Sequence, residues 1–251
     1  MSISHPIPAA TLVLFRERGD GPPELLMVER AKAMAFAGGA MVFPGGRIDP
    51  GDEALAELHP DLPDAAARIA AIRETVEEAG IAVGIAPPPP PSPDQLAALR
   101  AKLHAGEAFG RALEEAGLAL DLTALTPFAR WLPAHQHPRI FDTLFFLARA
   151  PEGAEATVDR TENVRLVWTS ARAMLDEVDA GRAAAIFPTR RNLERLALFA
   201  SFDDAVVDAR AHPIRAVTPW VEEREGAEHL CIPDDLGYPI TSEPLTAAVR
   251  G

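Results

Sequence analysis

The sequence is poor in several residue types that build common functional sites. It has a single cysteine, Cys231, which excludes an internal disulfide and any cysteine-cluster metal site and fits a reducing compartment. It has only two lysines, Lys32 and Lys102. Neither lysine follows the glycine pattern of a P-loop, so a Walker-type nucleotide site is excluded.

Long apolar runs and basic charge are also scarce. No apolar run reaches the roughly 18 residues of a membrane span, and the first ten residues lack the basic start and apolar core of a signal peptide. With 24 Lys+Arg against 37 Asp+Glu, the formal net charge is −13, which argues against nonspecific nucleic-acid binding. We therefore expect a cytoplasmic protein with no membrane or nucleic-acid partner. An anionic small molecule stays compatible, because a bound metal ion can reverse the local field.

The remaining composition is that of an ordinary globular protein, with 48% hydrophobic and 24% charged residues. A length of 251 residues allows one large domain or two small ones. The proline run from Pro87 to Pro91, with Pro93, cannot be helix or central strand and predicts a stiff linker over 87–93.

Short β-like runs and helical patterns are interspersed without a regular βαβ order. The predicted strands are Thr11–Phe15 and Leu25–Glu29, which form a hairpin, then Met41–Phe43, Thr143–Ala148, Val164–Trp168 and one or two more beyond Ala211. The predicted helices run from a cap at Asp64 to Ala79, over Pro93–Gly117 with a break near Gly106, and over Ala171–Ala180 and Thr189–Ala200. The segment Arg47–Pro63 is predicted to be mostly loop. This order favours an α+β fold with helices covering a mixed sheet.

Three acids cluster on one face of the helix that is predicted to end at Gly80. At 100° per residue, Glu74, Glu77 and Glu78 fall within an arc of about 100°. Glu77 and Glu78 also lie in the last turn, where the helix dipole disfavours acids by roughly 0.3–1 kcal/mol each. Arg73 supplies one compensating charge. A hard divalent cation would supply the rest, although the acids taken alone favour a solvated face over a metal site.

The tetrapeptide Phe43-Pro44-Gly45-Gly46 lies upstream of this helix. Two adjacent glycines after a short strand let the backbone approach a ligand closely and free a carbonyl to point at it. The glycine turn therefore favours a ligand site over a solvated acidic face.

Together these segments resemble the Nudix box, G-x5-E-x7-R-E-U-x-E-E-x-G-U with U apolar. The matching positions are Gly46, Arg73, Glu74, Glu77, Glu78, Gly80 and Ile81. Thr75 replaces the first of these apolar residues, and Arg73 follows Gly46 by 27 positions where the pattern has 14, an insertion of 13 residues. The counterpart of the first glutamate is open: Asp52 by counting forward from Gly46, its neighbour Glu53, or none.

The chain resembles the Nudix branch that includes the peroxisomal coenzyme A diphosphatase and its bacterial relatives, which also have a long loop inside the box. Further shared features are Leu25-Leu26 before Arg30, Trp131-Leu132-Pro133, the run 141–146 and Phe187-Pro188-Thr189. The resemblance implies a single Nudix α/β/α sandwich over 1–251, with the box at about 46–81 and a helical insert at about 94–118. It also implies a homodimer.

The resemblance assigns roles to the box. Glu74, Glu78 and Glu77 would bind Mg²⁺, or Mn²⁺ as a substitute, and the Gly45 carbonyl would complete the shell. Glu77 and Glu78 would take part in catalysis, with Glu77 sharing a metal or acting on the attacking water. Arg73 would orient the carboxylates by ion pairing. The general base varies across the family and is not assigned.

Candidates for substrate contact flank the glycine turn or lie in a later polar segment. Arg30, Arg47 and Phe43 lie near the turn, and for the two arginines surface ion pairing is the alternative. Arg139 ends the segment 135–139, which contains two histidines and is read either as a phosphate contact or as an exposed turn.

The implied reaction is Mg²⁺-dependent hydrolysis of a diphosphate linkage. The first-choice substrate is coenzyme A or an acyl-CoA, giving 3′,5′-ADP and (acyl-)phosphopantetheine. One departure is Ala35, which stands where the coenzyme A-associated motif has a basic residue. The alternatives are another nucleoside diphosphate-linked metabolite (ADP-ribose, NADH or a dinucleotide), a non-catalytic Nudix module that binds a metabolite, and a structural protein with a coincidental acidic helix.

Overall fold

The computed structural model describes residues 5–19, 21–32, 37–86, 91–133, 140–158, 163–224 and 226–248. Its strands are β1 Ile7–Arg16, β2 Glu24–Arg30, β3 Met41–Val42, β4 Gly45–Arg47, β5 Ile85–Ala86, β6 Ala119–Leu120, β7 Thr126–Trp131, β8 Phe141–Arg149, β9 Asn163–Ser170, β10 Ala216–Val217, β11 Trp220–Arg224, β12 Ala227–Cys231 and β13 Ser242–Pro244. Its α-helices are α1 Pro50–Ala56, α2 Ala65–Ala79, α3 Pro93–His104, α4 Phe109–Ala116, α5 Ala171–Asp179, α6 Phe187–Leu196, α7 Phe202–Ala211 and α8 Leu245–Ala248.

Strand β1 lies at the centre of a mixed eight-stranded sheet. One edge of β1 pairs in parallel with β8, and β7 and β10 extend the sheet beyond β8. The other edge pairs antiparallel with β4 and then with β2, which leads on to β3 and β9. This topology places Gly45 beside Thr11 and Gly46 beside Ala10, in the middle of the sheet.

Alternate side chains of β1 enter two separate hydrophobic cores. Leu12 and Leu14 pack with α2, α3 and α4 on one face. Val13 and Phe15 pack with α5, α6 and α7 on the other. The fold is therefore an α/β/α sandwich around a mixed sheet, as the sequence predicted.

The helical insert leaves and re-enters the fold through a two-stranded ribbon of β5 and β6. Its two helices break where the sequence predicted, with Gly106 at φ +81°. Leu99 and Leu103 of α3 are buried against the core around α2. Residues 87–90 of the predicted proline linker lie outside the described residues.

The predicted hairpin and the acidic helix that ends before Gly80 are confirmed, and three expectations are wrong. The segment Arg47–Pro63 contains α1, because Pro50 suits the first helical position and the N–H of Asp49 donates to Asp52 Oδ2 at 2.9 Å. Asp64 precedes α2 but makes no side-chain cap bond. Beyond Ala211, four strands and the short helix α8 replace the expected one or two strands. None of the helices in the described ranges is long and apolar enough to cross a membrane.

Candidate active site

The Glu78 carboxylate joins three elements of the fold. The backbone N–H of Gly45 in β4 donates to Oε2 at 3.0 Å, and Nδ2 of Asn163 in β9 donates to Oε1 at 3.0 Å. Glu78 itself lies on α2 and is 4% exposed. The glycine turn and the acidic helix, which were predicted to form one site, are therefore in direct contact. Asn163 is a further residue of this site, which the sequence did not indicate.

The Glu74 carboxylate lies against Gly46. A Cβ atom added at Gly46 would lie 2.3 Å from Glu74 Oε1, so only glycine leaves room for this side chain. A Cβ atom at Gly45 would lie 2.4 Å from the carbonyl oxygen of Ala10. The first glycine is thus needed for the approach of β4 to β1, and the second for the approach of the helix to β4.

The carbonyl of Gly45 is turned away from β1. Its neighbours in the ladder bond across to β1: Leu12 N–H donates to Pro44 O at 2.9 Å, and Ile48 N–H donates to Pro8 O at 3.0 Å. Because backbone groups alternate in direction along an antiparallel strand, both polar groups of Gly45 point to the opposite side, where its N–H meets Glu78. This orientation suits the metal-ligand role predicted for the carbonyl.

Arg73 connects the acids of the site. Its Nη2 lies 2.9 Å from Asp52 Oδ2 and also donates to the carbonyl of Arg47 at 2.9 Å. Its Nη1 donates to Glu74 Oε1 at 2.8 Å and to Glu77 Oε2 at 3.1 Å. Arg73 thus holds two of the three helix carboxylates by ion pairing, the kind of contact that its predicted orienting role would use.

Burial and ion pairing separate the residues considered for the first glutamate of the box, which were Asp52, its neighbour Glu53, or none. Asp52 is 1% exposed and paired with Arg73, whereas Glu53 is exposed. Of these residues, Asp52 has the burial and the arginine partner that suit this place, and it lies at the spacing from Gly46 that the pattern requires. The inserted residues follow it, within α1 and the turn that leads to α2.

Burial strongly affects the protonation of the helix carboxylates. Burial raises the pKa of Glu78 to about 8, with a further contribution from the charge of Glu74. Burial also raises the pKa of Glu74 to about 7, although the charge of Arg73 opposes the shift. The pKa of Glu77 is raised by burial as well. Such shifts mean that the surroundings of these carboxylates provide too little positive charge to stabilise their ionised forms. A divalent cation would supply that charge.

The donor set fits a hard divalent ion that keeps part of its water. Over the ranges that the structure describes, no three His, Cys, Asp or Glu side chains are arranged to hold a metal ion by themselves. Glu74, Glu78 and the Gly45 carbonyl would supply part of an oxygen shell. Mg²⁺ binds in this way in proteins, through one or two carboxylates with water and phosphate oxygens in the other positions.

The predicted substrate contacts have different positions. Arg30, at the end of β2, is close enough for its charge to lower the pKa of Glu78. Arg47 is exposed on β4. Phe43 is 3% exposed and packs in the core shared with α5, α6 and α7, which favours a packing role over contact with substrate. Arg139 lies outside the described residues.

The sequence profile of the NUDT19 Nudix domain matches residues 52–196, more than half of the chain. This chain belongs to the Nudix hydrolase family. Nudix hydrolases generally use divalent metal ions and act on small-molecule diphosphates. The match begins at Asp52 and so includes the insertion, the acidic helix and the helical insert.

Two relatives show how far the similarity extends. Human acyl-coenzyme A diphosphatase NUDT19 is 26% identical over 271 residues, which cover 84% of this chain and 72% of the human protein. The crystal structure of a Nudix hydrolase from Alicyclobacillus acidocaldarius is 32% identical, with a TM-score of 0.72, and the alignment covers 82% of this chain and 97% of that one. The Nudix fold therefore extends well beyond the box.

Proposed function

We propose that this Nudix hydrolase cleaves the diphosphate of coenzyme A or an acyl-CoA and releases 3′,5′-ADP and (acyl-)phosphopantetheine. The observation that carries the chemistry is the pair of buried carboxylates, Glu74 and Glu78, packed against Gly45 and Gly46. The substrate class is supported by the similarity to the human acyl-coenzyme A diphosphatase over most of the chain.

In this proposal Glu74, Glu78 and the Gly45 carbonyl hold Mg²⁺, for which Mn²⁺ can substitute. When bound, the ion neutralises the diphosphate charge and makes a bound water more acidic. Of the two α2 carboxylates that Arg73 holds, that of Glu77 is the more exposed, at 23% of its side chain, and Glu77 is our candidate for contact with the attacking water. Arg73 positions Glu74 and Glu77 through its two Nη1 contacts.

The reaction is a hydrolysis that divides the diphosphate, so that each product keeps one of its two phosphates. The water oxygen forms a bond to one phosphorus of the diphosphate, and the bond from that phosphorus to the bridging oxygen breaks. The water proton passes to a base of the site, and the bridging oxygen leaves with the other phosphate. We propose that Arg30 and Arg47 bind the negatively charged oxygens of the diphosphate, because both lie next to the carboxylates and glycines of the site.

Product analysis by mass spectrometry tests the substrate. Coenzyme A, acetyl-CoA, a long-chain acyl-CoA, ADP-ribose, NADH and a dinucleoside polyphosphate would each be incubated with the protein and Mg²⁺. We expect 3′,5′-ADP from the coenzyme A compounds. Cleavage of only ADP-ribose, NADH or the dinucleotide would contradict the substrate assignment while keeping the chemistry.

The control for this assay separates the enzyme from a contaminant. Glu78→Gln removes one carboxylate charge of the site, and Glu114→Gln makes the same change on an exposed position of α4. Turnover should be lost in the first variant and kept in the second. Metabolite binding without cleavage of any compound would instead identify a non-catalytic Nudix module.

We further propose that the enzyme works in the cytoplasm as a homodimer. The cytoplasmic location is supported by the single cysteine and the homodimer by the family resemblance. Sedimentation equilibrium of the full chain tests the assembly, and a monomer at micromolar concentration would contradict it.

A further inference from the structure

The C-terminal end of helix α2 is held from outside the helix. The last turn of α2 carries two acids, Glu77 and Glu78, and the free backbone carbonyls of the helix end. It contains no basic residue that could balance this negative charge. Arg100 of α3 reaches this end: its Nε donates to the Glu77 carbonyl at 2.8 Å, and its Nη2 donates to the Glu78 carbonyl at 3.1 Å. Thr157 adds a third bond, from its N–H to the Ala79 carbonyl at 2.9 Å.

Arg100 and Thr157 are also bound to each other. Nη1 of Arg100 donates to Thr157 Oγ1 at 2.7 Å, and Nη2 donates to the Thr157 carbonyl at 2.8 Å. Gly80 leaves room for this pair, since a Cβ atom there would lie 2.8 Å from Thr157 Oγ1 and 3.1 Å from Arg100 Nη1. The glycine of the box, at φ +64°, therefore both ends the helix and admits the guanidinium.

The packing of helix α3 holds the backbone of Arg100 in place. Leu99 and Leu103, on either side of Arg100 in the sequence, are 1% and 5% exposed and pack in the core around α2. His104, one turn further, has its Nε2 3.1 Å from the same Glu77 carbonyl. The insert therefore contacts the end of the acidic helix through both apolar and polar groups.

The charge and shape of arginine suit this position. A cation at a helix C-terminus interacts favourably with the partial negative charge of the free carbonyls. A guanidinium also presents several donors in a rigid plane, so one side chain can hold two successive carbonyls. Glu78 is then fixed twice: its carboxylate by Gly45 and Asn163, and its backbone by Arg100.

We propose that Arg100 is a positioning residue of the active site, which fixes the last turn of α2 so that Glu78 keeps the geometry needed for the metal ion and Glu77 keeps its position for the attacking water. The helical insert is then a working part of the site. This inference rests on the proposed assignment of the metal ion to Glu74 and Glu78, and it names a residue outside the Nudix box.

Direct Mn²⁺ binding to the full chain tests the inference without any substrate. We expect Arg100→Ala to weaken the Mn²⁺ affinity in calorimetry by about 10-fold, the effect typical of losing a group that orients a metal ligand. Arg100→Lys should recover only part of it, since one ammonium group cannot hold both carbonyls in the same way. Arg111→Ala is the matched control, because Arg111 lies on α4 of the same insert with 72% of its side chain exposed.

Hydrogen exchange of the Gly80 amide provides a second readout. This N–H donates to the Val76 carbonyl at 3.0 Å, and we expect it to exchange faster in Arg100→Ala than in Arg111→Ala. Wild-type Mn²⁺ affinity and wild-type exchange in a folded Arg100→Ala would overturn the inference. If that variant does not fold, unchanged affinity and exchange in Arg100→Lys would overturn it instead. A wild-type chain that binds no Mn²⁺ would contradict the metal assignment itself.

Discussion

The guanidinium of Arg73 and the carboxylate of Asp52 form a buried ion pair, with Nη2 2.9 Å from Oδ2 and the side chains 8% and 1% exposed. The pair joins α1 to α2 across the insertion in the Nudix box. It also leaves Nη1 of Arg73 directed at Glu74 and Glu77. Through Arg73, Asp52 on one side of the insertion is thus linked to Glu74 and Glu77 on the other side.

Breaking this pair should destabilise the fold. We expect Asp52→Asn to lower the free energy of unfolding by about 2 kcal/mol, because Arg73 loses its buried partner but keeps Glu74 and Glu77. Urea unfolding measures the change. Glu53→Gln, at the exposed neighbouring position, should stay within about 0.5 kcal/mol of wild type. Equal stability of the two variants would contradict the role assigned to Asp52.

The two glycines of the turn should respond differently to the same substitution. Gly46→Ala pushes against the flexible end of the Glu74 side chain, so the fold should survive while turnover falls about 100-fold, the cost typical of a misplaced catalytic group. Gly45→Ala meets the backbone of β1 and should destabilise the fold. Gly51→Ala is the control, because no atom lies within 4 Å of its added Cβ. Circular dichroism melts and turnover separate the three variants.

The metal-free protein should lose stability as the pH rises. In the folded state the pKa of Glu74 is about 7 and that of Glu78 about 8, above their ordinary value of 4.5, so the folded state binds more protons than the unfolded state between these values. The stability contributed by the protonated carboxyls is present below pH 4.5 and is lost as the pH rises to about 8.

A divalent cation should reverse this loss. Added Mg²⁺ should raise the melting temperature more at pH 8 than at pH 5.5, because it binds the ionised carboxylates. Thermal unfolding with EDTA or with Mg²⁺ at both pH values tests the prediction. Stability of the metal-free protein that rises from pH 5 to pH 8, or an equal effect of Mg²⁺ at both values, would contradict it.

The acidic helix was predictable because its signals are local. Glu74, Glu77 and Glu78 share a face by helical spacing alone, and Gly80 marks the C-terminus by its conformational freedom. Helix α1 was missed although Asp49 and Pro50 are good start signals, since the same residues also favour a turn. Local sequence does not decide between these two structures.

Contacts between distant segments could not be read from the sequence. Asn163 meets Glu78 only because β9 pairs with β2 beside the glycine turn, and a single asparagine carries no signal of that pairing. Arg100 lies in an insert whose contact with α2 depends on how two buried leucines pack. The sequence left Asp52, Glu53 or no residue open for one position, and only the burial of Asp52 and its ion pair with Arg73 separate these alternatives.

A titration of Mn²⁺ followed by electron paramagnetic resonance, at pH 8 and without substrate, tests the metal site at Glu74 and Glu78 most directly. We predict that the wild-type protein binds the ion and that Glu74→Gln and Glu78→Gln each weaken binding by at least about 10-fold, since each removes a charged ligand. Glu114→Gln, at an exposed position, should bind as the wild type does. Equal Mn²⁺ affinity in all four proteins would contradict a metal site at Glu74 and Glu78.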